Sequence, residues 1–230
     1  VAIHRAMRLA MDDPKEKVNL ITFNKTLAQY SLSGLRLPEN IIVKNFHSWF
    51  STWYYNVFGR RPPHEGPVFN YVWDQIDDDI KWAEDSEMNL ARFHFGHLLI
   101  DEGQDFRNSL YKILMAIIKR NKENGKNSTL TVFADDNQSI SKNNSTLSEI
   151  REILNATPSL KTYWRVDKNY RNTREVAKFA RYFQVLNSRS VSLPNRTGRK
   201  PIVFVFNKDE EEIEQIVQYC KNQNDKEVGV

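Results

Sequence analysis

The sequence predicts an α/β fold in two parts, with a parallel sheet covered by flanking helices. Three observations predict it. Short apolar runs such as VNLITF (18–23), HLLID (97–101) and TLTVFAD (129–135) alternate with longer stretches of helical periodicity. Repeated strand-helix-strand order implies parallel strands joined by crossover helices rather than hairpins. Paired acids close two of the apolar runs, at the carboxyl ends of strands, where parallel sheets place their ligands.

Each element follows in order. VAIHRAMRLA puts Val1, Ile3, Ala6, Met7 and Ala10 near one helical face, a helix entered part-way along. VNLITF is a buried-type strand. NKTLAQYSLS reads as a helix, with Gly34 and Pro38 marking the exit. IIVKNF (41–46) is a second strand, and an aromatic helix runs from His47 to about Phe58. Gly59 to Pro67 is a loop. The acidic, aromatic and helical stretch from Val68 to Phe93 breaks the rhythm and reads as part of an insertion at about 59–95. HLLID resumes as a strand, SLYKILMAIIKR as an amphipathic helix, TLTVFAD as a strand and LSEIREIL as a helix.

Beyond these, TYWRVDKNYR is strand-like near its start. TREVAKFARYFQVL is a helix with Thr173 or Asn172 as its cap. PIVFVF reads as a strand and DEEEIEQIVQYCK as a helix, whose acidic start suits the macrodipole. The expected division is 1–162 for the first part and 163–230 for the second. The helical opening and the strand-like KEVGV ending suggest a piece of something longer.

Composition narrows the function. The 230 residues are 40% hydrophobic and 27% charged, ordinary for a globular chain with a real core. A net charge of +4 is compatible with a polyanionic partner and weak support for one. Cys220 is the only cysteine, which excludes an internal disulfide and a zinc site of several thiolates. No apolar run approaches the roughly 18 residues of a membrane span. The expectation is a cytoplasmic protein with no membrane partner.

Three segments carry chemistry. In HLLIDEGQD an apolar strand ends in Asp101 and Glu102, followed by Gly103, Gln104 and Asp105. Adjacent acids at a strand tip suit hydrolysis of a magnesium-bound nucleotide. One carboxylate holds the metal through its water shell, and the other polarises an attacking water. A solvated acidic turn is the plain alternative. In TLTVFADDNQSI a second strand ends in Asp135, Asp136, Asn137 and Gln138. A neutral amide such as Gln138 can sense a terminal phosphate by hydrogen bonding; a common polar turn fits as well. In VDKNYRNTREVAKFA, Tyr170 and Arg171 precede a helix. Arginine suits the charge of a transferring phosphoryl group and tyrosine can stack on a base, though a surface turn has the same look.

Together the three resemble motifs II, III and IV of the UvrD/Rep family of superfamily 1 helicases. HLLIDEGQDF is similar to that family's DEAQD motif, FADDNQSI to its GDDDQSI motif and KNYRNT to its NYRS motif. LITFNKTLA resembles motif Ia, and KNFHSW resembles the Thr-x-His-Ser region. The resemblance implies two RecA-like lobes of the P-loop NTPase class and an ATP-dependent helicase that uses Mg²⁺ and moves on single-stranded DNA, with RNA not excluded. It implies that Asp101 binds Mg²⁺, Glu102 is the catalytic base and Gln138 senses the γ-phosphate. Gln104, Asp135 and Tyr170 would line the nucleotide, and Arg171 would be an arginine finger. Phe23, Asn24, His47 and Ser48 would lie on the nucleic-acid path.

The chain departs from the family at Ala134, where the family has glycine, and at Ser141 and Lys142, where it has aromatics for base stacking. The phosphate loop GxxxxGK[ST] and motifs V and VI are absent from these 230 residues. The expectation is that this stretch alone neither binds ATP tightly nor unwinds DNA. A helicase-like module that binds nucleic acid or protein without hydrolysis is the alternative reading. Of the remaining candidates, Trp49, Trp53, Tyr54 and Tyr55 are expected mainly in the core, and His94 and His97 as packing residues.

Overall fold

A computed structural model of the chain describes residues 1–22, 36–66, 70–85, 90–138, 144–169, 172–184 and 192–222. The chain divides into two compact units, Val1–Arg165 and Val166–Val230.

The first unit is built on four strands: β1 (Val18–Thr22), β2 (Ile41–Asn45), β3 (His97–Ile100) and β4 (Thr129–Val132). All pair in parallel, in the order β2-β1-β3-β4. Every described carboxyl end therefore lies along one edge. The described α-helices of this unit are α1 (Ala2–Asp12), α2 (Phe46–Phe58), α3 (Trp73–Asp85), α4 (Asn108–Glu123) and α5 (Leu147–Ile153).

Strand residues alternate between two cores, as a pleat of period two requires. Val18, Leu20 and Leu99 pack with Ala2, Ala6 and Ala10 of α1. The alanines recur every four residues, so one slim stripe of α1 lies close against the sheet. Ile21, Leu98 and Ile100 point the other way, into a larger core with α2, α3 and α4. Covering both faces explains why β1 and β3 are so apolar; all nine of their positions are buried.

Helix α2 supplies an aromatic spine. Phe50 is fully buried and meets Tyr71 edge-on with ring centroids 5.1 Å apart. Trp49, Trp53 and Tyr54 are buried with it, while Tyr55 faces solvent. The core expectation thus holds for three of the four aromatics. Asn45 caps the helix by accepting from the Ser48 amide at 2.9 Å. Gly59 closes it in the left-handed conformation at φ 69°, its N–H donating to the Tyr55 carbonyl.

The stretch read as an insertion packs into this same core through Ile76, Ile80, Ala83 and Phe93. Arg120 of α4 fastens it. Its guanidinium donates to the carbonyls of Ile80 and Ala83 and lies 4.5 Å from the Phe93 ring centre. His94 and His97 are held within the fold as expected. His94 bridges Glu16 at 2.7 Å and Ser128 at 3.1 Å, and His97 meets the Thr129 hydroxyl at 2.7 Å.

The second unit contains α6 (Arg174–Ala180) and α7 (Asp209–Asn222). Thr173 caps α6, as expected. Two strand expectations fail here. Residues 201–206 (PIVFVF) are not a strand, and Ile202, Val203, Phe204 and Val205 are exposed. Residues 163–169 form only an isolated bridge, Lys168 with Ser192. Apolar, β-prone residues form a strand only against a hydrogen-bonding neighbour, and no second ladder exists among the described residues. Helix α6 is also shorter than predicted, continuing as a 3₁₀ turn at Arg181–Phe183. β4 stops at Val132, three residues before the expected end. The helix predicted for NKTLAQYSLS lies outside the described residues.

Candidate functional site

The site is assembled where β3 and β4 end side by side. Ile100 pairs with Val132, and each strand then runs into an acidic turn. At the end of β3 the Asp101 amide donates to the Ile21 carbonyl at 2.9 Å, which ties the turn to β1. Glu102 takes the left-handed conformation, φ 54° and ψ 48°, uncommon for a residue with a side chain. Gly103, Gln104 and Asp105 follow as a 3₁₀ turn.

Gly103 permits the close approach of the two turns. Its N–H donates to the Phe133 carbonyl at 2.7 Å, and its own carbonyl accepts the Tyr111 hydroxyl at 2.5 Å. A Cβ at this position would sit 2.4 Å from Val132 Cγ1 and 3.0 Å from the Tyr111 oxygen. Sequence reasoning did not single out Gly103 or Tyr111. The available signal was a glycine between Glu102 and Gln104, with a tyrosine eight positions on in the following helix.

A continuous set of hydrogen bonds crosses from one turn to the other. Gln104 Nε2 donates to Glu102 Oε2 at 2.9 Å. The Asp135 amide donates to Gln104 Oε1 at 3.0 Å. Gln138 Nε2 then donates to Asp135 Oδ2 at 3.1 Å, while Asp135 Oδ1 accepts from Asn137. Asp136 accepts from the Leu147 amide at 2.6 Å and so anchors the turn to the start of α5. Four residues picked from two motifs, Glu102, Gln104, Asp135 and Gln138, are thus one bonded group.

Its electrostatics are acidic. Burial pushes the Asp105 carboxyl above the usual carboxylate range, and the neighbouring Glu102 charge pushes the same way. Burial also raises the Tyr111 hydroxyl, so it stays protonated and can donate to Gly103. Among the described residues no three His, Cys, Asp or Glu side chains form a ready metal cage. Asp101 and Glu102 instead offer oxygen donors of the kind Mg²⁺ accepts when substrate phosphates and water complete its shell.

The other predicted residues are distributed as follows. His47 and Ser48 open α2, at the carboxyl end of β2 and on the same sheet edge. His47 is half-buried between the rings of Phe46 and Tyr71, with centroids 5.3 and 5.7 Å away, and burial lowers its proton affinity. Ser48 is exposed. Phe23 and Asn24 follow the last residue of β1 and lie outside the described residues, as do Tyr170 and Arg171 in the second unit. Their flanks are described: Asn169 Oδ1 accepts from the Asn172 amide at 3.1 Å.

Comparison with known families supplies one match. Residues 78–161 fit the family described as the UvrD/REP helicase N-terminal domain. No curated protein and no solved structure matches the chain. The matched stretch runs from within α3 through α5 and contains both acidic turns. Over residues 78–161, carried on the parallel sheet, this chain is similar to the UvrD/REP helicase N-terminal domain.

Proposed function

We propose that the chain is part of a cytoplasmic, ATP-dependent DNA helicase or translocase that couples ATP hydrolysis to movement on single-stranded DNA. The observation that supports this most is the bonded group at the tips of β3 and β4. It joins an acid suited to water activation, Glu102, to an amide suited to phosphate sensing, Gln138. A site that must report the state of a terminal phosphate needs such a connection between the group that breaks the bond and the group that feels its loss.

In this reading Glu102 accepts the proton of the attacking water, and Asp101 holds the metal through oxygen. Bound Mg²⁺ supplies neutralisation of phosphate charge. Gln138 donates its amide to the terminal phosphate, with Asp135 orienting that amide from behind. Tyr170 would face the base, and Arg171 would stabilise charge on the transferring phosphoryl group. Phe23, Asn24, His47 and Ser48 would follow the nucleic-acid backbone. His47 and Ser48 suit that role through their place on the sheet edge.

The test is ATP turnover by the full-length protein with and without a single-stranded oligonucleotide. Glu102→Gln is expected to lower kcat by about 10²–10⁴-fold while ATP still binds. Wild-type turnover in that variant would remove Glu102 from its role and the motor reading with it. The second reading is a helicase-like module that binds nucleic acid or protein without hydrolysis. Tight oligonucleotide binding by the full-length protein, with no ATP turnover, would select it.

A further inference from the structure

We infer that Gln104 is a positioning residue, whose carboxamide holds the Glu102 carboxylate against the turn that follows β4. Its importance for catalysis rests on the function proposed above; the bridge itself does not.

The side chain of Gln104 is 1% exposed, so it is part of the protein interior. Each end of its amide has a partner that fixes its direction. An ionised carboxylate can only accept, so Nε2 faces Glu102; a backbone N–H can only donate, so Oε1 faces Asp135. Turning the amide over would set acceptor against acceptor and donor against donor. The backbone of Glu102 needs support as well, because its left-handed conformation is strained for a non-glycine residue. The Asp105 amide provides it by donating to the Glu102 carbonyl at 2.9 Å. The residues just after Glu102 thus hold both its main chain and its side chain.

This geometry assigns Gln104 a different task from contact with nucleotide. A buried carboxamide engaged at both ends acts through Glu102. It also carries the position of the β4 turn, and with it Gln138, to the acid 36 residues earlier in the chain. Few other side chains could do this. Glutamate lacks the donor, and methionine fills the space but bonds to neither partner.

The experiment compares Gln104→Met and Gln104→Glu with the wild type. In the ¹⁵N-labelled protein, Gln104→Met is expected to speed hydrogen exchange at the Asp135 amide by about tenfold or more, and Gln104→Glu, which keeps an acceptor there, by much less. In ATP turnover by the full-length protein, both variants are expected to lower kcat by about tenfold or more with KM within about twofold. Unchanged Asp135 exchange in Gln104→Met overturns the bridge. A raised KM with kcat intact overturns the positioning role in favour of direct nucleotide contact. If Gln104→Met does not fold, exchange of the wild-type Gln104 Nε2 protons decides. Slow exchange supports the bridge, and exchange as fast as that of a surface glutamine overturns it. A wild type that hydrolyses no ATP would defeat the proposed function, while the exchange measurements would still decide on the bridge.

Discussion

VNLITF in the first unit and PIVFVF in the second are comparably apolar six-residue runs, yet they end in opposite environments. Val18–Thr22 of the first become β1 with neighbours on both sides, and Val18 and Ile21 are fully buried. Ile202 to Val205 of the second are exposed, with Val205 at 87%. The difference lies outside the runs themselves. β1 sits between β2 and β3 and beneath α1, so its backbone and both faces are covered. Residues 201–206 have no ladder among the described residues, and their intrinsic preference for extended structure has nothing to act on. Hydrophobic pattern specifies what a segment can become; partners decide whether it does.

Mutations can break this comparison or sharpen it. The largest effect belongs to the aromatic spine. Phe50→Ala is expected to cost about 3–5 kcal/mol in a denaturant titration, since a fully buried ring is removed from a packed core. An unchanged midpoint would mean that the first unit's stability does not come from that core. Next is Gly103→Ala, expected to cost about 1–3 kcal/mol through overlap with Val132. Combining it with Val132→Ala should recover part of the site's local protection if that contact is the cause, and no recovery would place the strain elsewhere.

A smaller effect depends on pH. The folded protein holds the Asp105 proton to higher pH than the unfolded chain does. Stability from this group is therefore full below the ordinary carboxylate range and is lost as pH rises to the raised value. Asp105→Asn should raise Tm at pH 7 and give no gain near pH ~3, where both states are protonated. A gain that is equal at both pH values would exclude ionisation as the cause. The smallest effect is in the second unit, where Phe204→Ser should shift stability by no more than about 0.5 kcal/mol because its ring is 60% exposed. A large loss there would show that residues 201–206 are covered in solution.

The sequence made the first unit readable because its central strands, β1 and β3, are apolar and buried on both faces and its helices have clear periodicity. All four described strands fall where the runs of apolar residues placed them. The acids at the strand tips were legible for a related reason: Asp101, Glu102 and Asp135 follow the apolar runs directly. What could not be read was adjacency. Gln104 and Asp135 are 31 residues apart, and nothing local says that one receives the other's N–H. Nothing local marked Gly103 as the residue that leaves room for Val132. The stretch 59–95 broke the strand-helix rhythm, and periodicity alone could not reveal that Arg120 would bind it to the core.

The one-way direction of the strands also sorts the connecting segments by purpose. Among the described residues, α1 leads into β1, α2 and α3 lie between β2 and β3, and α4 lies between β3 and β4, so the turns that enter these strands collect opposite the bonded acids. The turn before β4 is the clearest instance: Gly125 has φ 68°, and an added Cβ there would meet nothing within 4 Å. The open space at Gly125, on the rim away from the two acidic turns, makes that turn the natural place to attach a fluorescent reporter.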